Sequence, residues 1–178
     1  MTLYRLLTRW WTAFALFASL AMLAAAHAFE RFAGLAPCNL CLKQREVFWG
    51  AVVISLMATG WAVLSRASRG TPRIASFLLF AVFLTGAITA TFHAGGELKW
   101  WALPATCSTG GAAADLESLT ALALGTGPAV EFHACDAVTW SFLGLSMAGW
   151  NALLSGGLAI FSLLAAKRPK DARAPGNH

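Results

Sequence analysis

Three observations predict an all-α integral membrane protein. The chain is too apolar for a soluble surface to cover it, its charges fall between long charge-free segments, and those segments have the length of a bilayer crossing. Of 178 residues, 58% are hydrophobic and only 12% charged, with a mean hydropathy of +0.63. Each of four segments offers roughly 20 to 25 residues, which at about 1.5 Å per residue cross a hydrocarbon core of about 30 Å as a helix. The expected architecture is an antiparallel four-transmembrane-helix bundle with a short and a long extracytoplasmic loop, built as a single domain over residues 1–178.

The first span is placed at about residues 10–29, where Trp10 and Trp11 suit an interfacial anchor. Ala26-His27-Ala28 has the small-residue pattern of a signal-peptide cleavage site. Against cleavage, the apolar run from Trp10 to Ala26 exceeds the roughly 7 to 15 residues of an ordinary signal core. The second span is placed at about 47–65, after a short loop at about 30–46. The third runs from Ile74 and is read to Phe92, although charge-free sequence continues to Glu97. The fourth lies within Ala137 to Ala166, at about 142–166, after a long loop at about 93–140.

Lys and Arg set the orientation, because cytoplasmic flanks retain positive side chains during insertion. Arg5 and Arg9 precede the first span, Arg66, Arg69 and Arg73 separate the second from the third, and Lys167, Arg168, Lys170 and Arg173 follow the fourth. Both termini are therefore expected in the cytoplasm. In the long loop Glu97, Asp115, Glu117, Glu131 and Asp136 oppose only Lys99. The high isoelectric point follows from the inside flanks and needs no nucleic-acid partner. Within the long loop, Leu116, Leu119 and Leu122 give 112–124 the spacing of a short surface helix, or of an ordinary loop helix. Gly125-Thr126-Gly127-Pro128 is a flexible breaker after it, and the tail from Lys167 is polar.

Four cysteines carry the chemistry. Cys38 and Cys41 form a Cys-x-x-Cys motif at the start of the second span, while Cys107 and Cys135 sit far apart in the long loop. Both pairs are expected on the extracytoplasmic side, where disulfides persist. Pro37 suits a helix start, which puts Cys38 and Cys41 in a first turn whose unpaired N–H groups and dipole favour a thiolate. Arg45 follows Cys41 by four residues, on the same helical face, where its permanent charge supports that thiolate and can hydrogen-bond an oxidant's carbonyl oxygen. Without the cysteines it would be read as a snorkelling interfacial cation.

Cys-x-x-Cys alone fits a zinc ligand pair, a structural bridge or a redox couple. Zinc is the weakest reading, because Cys107 and Cys135 lack a second short knuckle, although His93 or His133 would allow another ligand set. A structural bridge suits the loop pair. It suits Cys38 and Cys41 less, since closing so short a loop gains little chain entropy. No metal is expected.

The ordered set Pro37-Cys38-Asn39-Leu40-Cys41 with Arg45, then Pro104-Ala105-Thr106-Cys107, then Cys135 leading through Trp140-Ser141-Phe142-Leu143-Gly144-Leu145-Ser146-Met147 resembles the bacterial disulfide bond formation protein B (DsbB) family. These are quinone-dependent inner-membrane oxidases that reoxidise the periplasmic thiol oxidase DsbA. The resemblance covers nearly the whole chain. It implies a protein-disulfide:quinone oxidoreductase using ubiquinone or menaquinone, with a periplasmic DsbA-like thioredoxin-fold partner. By that resemblance Cys107 receives the partner's thiolate, Cys135 leaves and turns to Cys38, and Cys41 passes electrons to quinone held and polarised by Arg45. His93 is similar to a family histidine near the quinone, with an interfacial structural histidine as the alternative. Glu97, Trp100 and Trp101 would shape the loop's membrane contact, the tryptophans as belt anchors. The vitamin K epoxide reductase type is a poorer match, because its loop pair precedes the helical Cys-x-x-Cys. A DsbB-like paralogue with another thioredoxin-fold partner and a non-catalytic disulfide-stabilised scaffold are the remaining readings.

Overall fold

The computed structural model of the protein describes residues 2–65, 72–104, 107 and 134–167. The expected loop helix at 112–124, the breaker at 125–128 and the tail beyond Lys167 lie outside the described residues. Among those described, four helices are long and apolar enough to cross a membrane: α2 (Trp11–Phe32), α3 (Asn39–Leu64), α4 (Arg73–Glu97) and α5 (Met147–Ala166). A short helix α1 (Thr2–Arg9) precedes them, separated from α2 by Trp10. This is a multi-pass membrane protein.

Three helix ends differ from the sequence expectation, each for a local reason. α2 continues through Ala26-His27-Ala28 to Phe32, leaving only residues 33–38 to join it to α3. α3 starts at Asn39 rather than near Val47, because its polar residues are paired: Lys43 bonds Glu46 one turn on, and Arg45 reaches back to Glu30 on α2. α5 starts at Met147. The apolar residues before it form instead a hairpin of β1 (Ser141–Phe142) and β2 (Leu145–Ser146), in antiparallel register Ser141 to Ser146 and Phe142 to Leu145. Its two turn residues, Leu143 and Gly144, both have positive φ (52° and 80°), the geometry of a type I′ turn.

Each long helix packs chiefly on its neighbour in sequence, and α4 with α5 makes the most extensive contact. Small residues allow this. A Cβ on Gly86 would sit 3.0 Å from Val47 Cγ1 on α3 and 3.4 Å from Ser155 Oγ on α5, and Ala90, Ala148 and Ala159 are equally buried. Trp11, Phe48, Leu79 and Phe83 fill the core, and Trp11 Nε1 donates to Ser162 Oγ at 2.9 Å. Large apolar side chains such as Phe17, Met57, Trp61 and Ile74 point outward. They are a liability in water and the expected surface toward lipid.

The antiparallel order brings the end of α2, the start of α3, the end of α4 and the start of α5 to one end of the bundle. That end carries the cysteines. There the chain after α4 folds back: a Cβ at Gly95 would run into the Trp101 ring, and one at Gly96 into the Leu103 side chain. Two successive glycines thus let the long loop start flush against the helix.

Candidate functional site

Cys38 is the N-cap of α3, and its Sγ accepts the Cys41 N–H at 3.3 Å. Pro37 therefore precedes the cap instead of opening the helix, and only Cys41 is in the first turn. The two sulfurs are 2.9 Å apart with Cys38 donating to Cys41. That hydrogen bond, with burial second, raises the Cys38 thiol above the ordinary range, so Cys38 keeps the proton of the pair.

The distant loop cysteines are beside this pair. Cys107 and Cys135 are 3% and 2% exposed and cluster with Cys38, with Leu40, Cys41 and Leu103 packed around them. Backbone bonds hold the two arms together. Cys135 N–H donates to the Cys107 carbonyl at 2.9 Å, and Cys107 N–H to that of Pro104 at 2.8 Å.

Arg45 is mostly covered at the wall of the site, where Nη1 bonds Glu30 Oε2 at 2.5 Å and Nη2 the Ala26 carbonyl at 3.1 Å. Its anionic partner was not visible in sequence, because Glu30 belongs to the preceding span. His93 lies in α4, not in the loop. Its Nδ1 is 3.0 Å from Gln44 Nε2, and its Nε2 is 3.1 Å from the Cys135 carbonyl, 3.7 Å from Cys38 Sγ and 3.8 Å from Glu97 Oε1.

Sequence reasoning missed most of what surrounds His93. Gln44, Asn151 and Ser155 form a buried chain, with Asn151 Nδ2 donating to Gln44 Oε1 and Ser155 Oγ to Asn151 Oδ1. Glu97, expected at the membrane contact, is buried and takes the hydroxyl of Ser146, the N-cap of α5. Lys99 bonds both the carboxylate and the carbonyl of Asp136, at 2.6 and 3.0 Å. The available signals were spacing and setting: Glu97 follows His93 by four residues, and Asn151 and Ser155 are polar residues one turn apart in an apolar span.

Beside the sulfurs, a cavity of about 380 Å³ opens between the helices, lined mainly by apolar side chains such as Met22, Leu23, Phe29 and Trp150. Cys38, Cys41, Arg45, His93 and Glu97 supply its polar wall. Cys38, Cys41 and His93 also bring two sulfurs and an imidazole nitrogen within 4.8 Å, a composition that a soft cation would accept. Nε2 faces a carbonyl oxygen there, so it presents a hydrogen and not the lone pair a metal needs.

The family described as "Disulfide bond formation protein DsbB" matches residues 8–165. The chain belongs to the DsbB family. Proteins named "Disulfide bond formation protein B" are similar to it over most of both lengths. That of Methylococcus capsulatus is 34% identical, covering 81% of this chain and 85% of its own. That of Marinobacter nauticus is 32% identical, covering 84% and 88%. That of Hahella chejuensis is 33% identical, covering 76% and 80%. No solved structure matches. The DsbB assignment supports disulfide bond formation as the coarse activity and a thiol–disulfide oxidoreductase as its class.

Proposed function

We propose that this DsbB-family protein is a protein-disulfide:quinone oxidoreductase of the bacterial inner membrane. It reoxidises a periplasmic DsbA-like thioredoxin-fold partner and passes the electrons to ubiquinone or menaquinone. One observation supports this above all: Cys38 touches the loop cysteines on one side and, with Cys41, lines the apolar cavity on the other. A lipid-confined oxidant and a water-borne thiol partner require such a two-sided relay.

The cavity fits a quinone in character: apolar walls suit the ring and tail, and Arg45 has N–H groups beyond the two it uses toward Glu30 and Ala26. Bound quinone supplies a two-electron sink. The residues of the chain do the rest. Arg45 would hold and polarise a quinone oxygen, and Cys41, which lines the cavity and accepts the Cys38 hydrogen bond, would be the sulfur that passes electrons to it. Oxidising Cys38 and Cys41 to a disulfide releases two electrons and two protons. In the next exchange, the partner's thiolate attacks Cys107 of a Cys107–Cys135 disulfide and Cys135 leaves. Cys135 then attacks Cys38 of the Cys38–Cys41 disulfide, and Cys41 leaves as thiolate. The partner's second thiol releases Cys107 and forms the partner disulfide. Cys107 attacks Cys135, restoring the loop disulfide and freeing Cys38, so that Cys38 and Cys41 carry the two electrons. Cys107 is buried beside Cys38 and Cys135. His93 lines the cavity, yet both its ring nitrogens are bonded elsewhere, to Gln44 and Cys135. With Arg9, Arg73 and Lys167 at the opposite end, the cysteine end would face the periplasm.

The test is anaerobic mixing of the purified protein with each quinone and a reduced DsbA-like protein. Partner disulfide should form in step with quinol, and Cys41→Ser should abolish quinol formation. Disulfide transfer without quinol would refute the quinone reading.

A further inference from the structure

We propose that His93 is a positioning residue for internal thiol exchange: its Nε2–H grips the Cys135 carbonyl and keeps the Cys135 sulfur beside Cys38. The inference rests on the exchange route proposed above and gives His93 a role separate from any contact with quinone.

The direction of the hydrogen bonds carries it. Gln44 Oε1 accepts from Asn151 Nδ2, whose own Oδ1 accepts from Ser155, so the Gln44 amide nitrogen is the atom turned to His93. A donor opposite Nδ1 makes that nitrogen an acceptor, and a neutral imidazole then carries its hydrogen on Nε2. Nε2 meets the Cys135 carbonyl at 3.1 Å, its shortest contact; Cys38 Sγ at 3.7 Å lies at the longer reach of a sulfur, and Glu97 Oε1 at 3.8 Å is beyond hydrogen-bond range. The carbonyl is the closer acceptor for the Nε2 hydrogen. Three polar residues on α3 and α5 thus fix one tautomer of His93, and that tautomer fixes one loop residue.

Cys135 is consequently held through both of its peptide groups, by His93 at its carbonyl and by the Cys107 carbonyl at its N–H. The same end of α4 secures the neighbouring chain twice more, through Lys99 to Asp136 and through Glu97 to Ser146. Holding the backbone leaves the sulfur to react. In the step served, the Cys135 thiolate attacks Cys38 of an oxidised Cys38–Cys41 pair, a Cys38–Cys135 bond forms and Cys41 leaves as thiolate. No electrons are gained or lost overall. A fixed approach raises the effective concentration of one sulfur at the other.

The experiment needs neither quinone nor partner. In full-length protein carrying Cys41→Ala and Cys107→Ala, the Cys38–Cys135 disulfide is equilibrated against a glutathione redox buffer, quenched by acid and alkylation, and quantified by mass spectrometry. His93→Leu should lower the effective concentration about tenfold, the equivalent of one net hydrogen bond at about 1.4 kcal/mol. His93→Gln, whose amide nitrogen reaches the place of Nε2, should restore it. Lys99→Met alters an exposed side chain and should lower it about twofold without touching the core. Nitrogen NMR of labelled histidine should show the Nε2–H form at neutral pH. An unchanged value in His93→Leu, or a fall in His93→Gln as large as in His93→Leu, would overturn the proposal. Failure of quinone-dependent turnover would instead overturn the proposed function and leave this measurement intact.

Discussion

Replacing Arg45 by Met should separate its structural bond from its service to the oxidant. The Arg45 side chain is 15% exposed, and its guanidinium bonds Glu30 at 2.5 Å and the Ala26 carbonyl at 3.1 Å. A hydrogen bond to a charged group contributes about 1.5–3 kcal/mol. Glu30, however, is 38% exposed, so water recovers part of that when the pair is broken, and about 1–2 kcal/mol of destabilisation is expected. For a chain of this length, each kcal/mol shifts the thermal midpoint by about 2–4 °C. Glu30→Gln removes the same ion pair from the other side and leaves the cation in place. A double-mutant cycle in one detergent should give a coupling of about 1 kcal/mol between them.

Function should split where stability does not. Arg45→Met should raise the quinone KM about tenfold, corresponding to about 1.4 kcal/mol of lost polar contact, and slow Cys41 reactivity. Glu30→Gln should leave the KM close to wild type, because the group that would meet quinone remains. Steady-state quinol formation and thiol titration of Cys41 are the assays. Unchanged KM, turnover and Cys41 titration in Arg45→Met would reduce Arg45 to an interfacial cation paired with Glu30.

A DsbA-like partner that retains only its nucleophilic cysteine should stall as a mixed disulfide on Cys107 of the oxidised protein. Linkage mapped mainly to Cys135 would reverse the assignment. Reporters fused after Gly70 and at the C-terminus should read cytoplasmic and one at Gly111 periplasmic, and an outside C-terminus would refute the orientation. The Lys99 hydrogen bond and charge hold the Asp136 carboxyl below its usual range. The latch is therefore fully present above the unfolded carboxylate value of about 3.9 and is lost as pH falls through the lower folded value. Hydrogen-exchange protection at residues 134–137 should stay constant down to about pH 4, and loss beginning near neutrality would contradict it. Leu143 sits at φ 52° with 78% of its surface exposed. Leu143→Gly should therefore stabilise the hairpin by up to about 1 kcal/mol, and a lowered thermal midpoint would contradict the strain argument.

The four crossings were legible because hydropathy is a property of segments, and a charge-free run of crossing length has few other uses. Their ends were not legible from hydropathy alone. The third crossing, read to Phe92, continues for another turn because His93 and Glu97 are paired inside the protein and need not face water. The last crossing loses its expected first turn because Phe142 and Leu145, apolar enough for a helix, pair across a tight turn whose first residue is a leucine. No Asn-Gly or Asp-Gly pair announced that turn.

The cysteines themselves were legible as a motif, and their meeting was not. Spacing indicated two pairs on one side of a membrane. It carried no information on whether Cys135 reaches Cys38, because that depends on Gln44, His93, Glu97, Lys99 and Asn151, which come from three helices and the loop's first turn. Each of these residues has an innocuous reading alone: an interfacial amide, a surface lysine, a polar residue inside a span. Together they dock residues 134–136 against the start of α3 and the end of α4. A relay through two disulfides requires one sulfur to serve two partners in turn. Fixing Cys135 at Cys38 would keep the proposed internal exchange ready between turnovers.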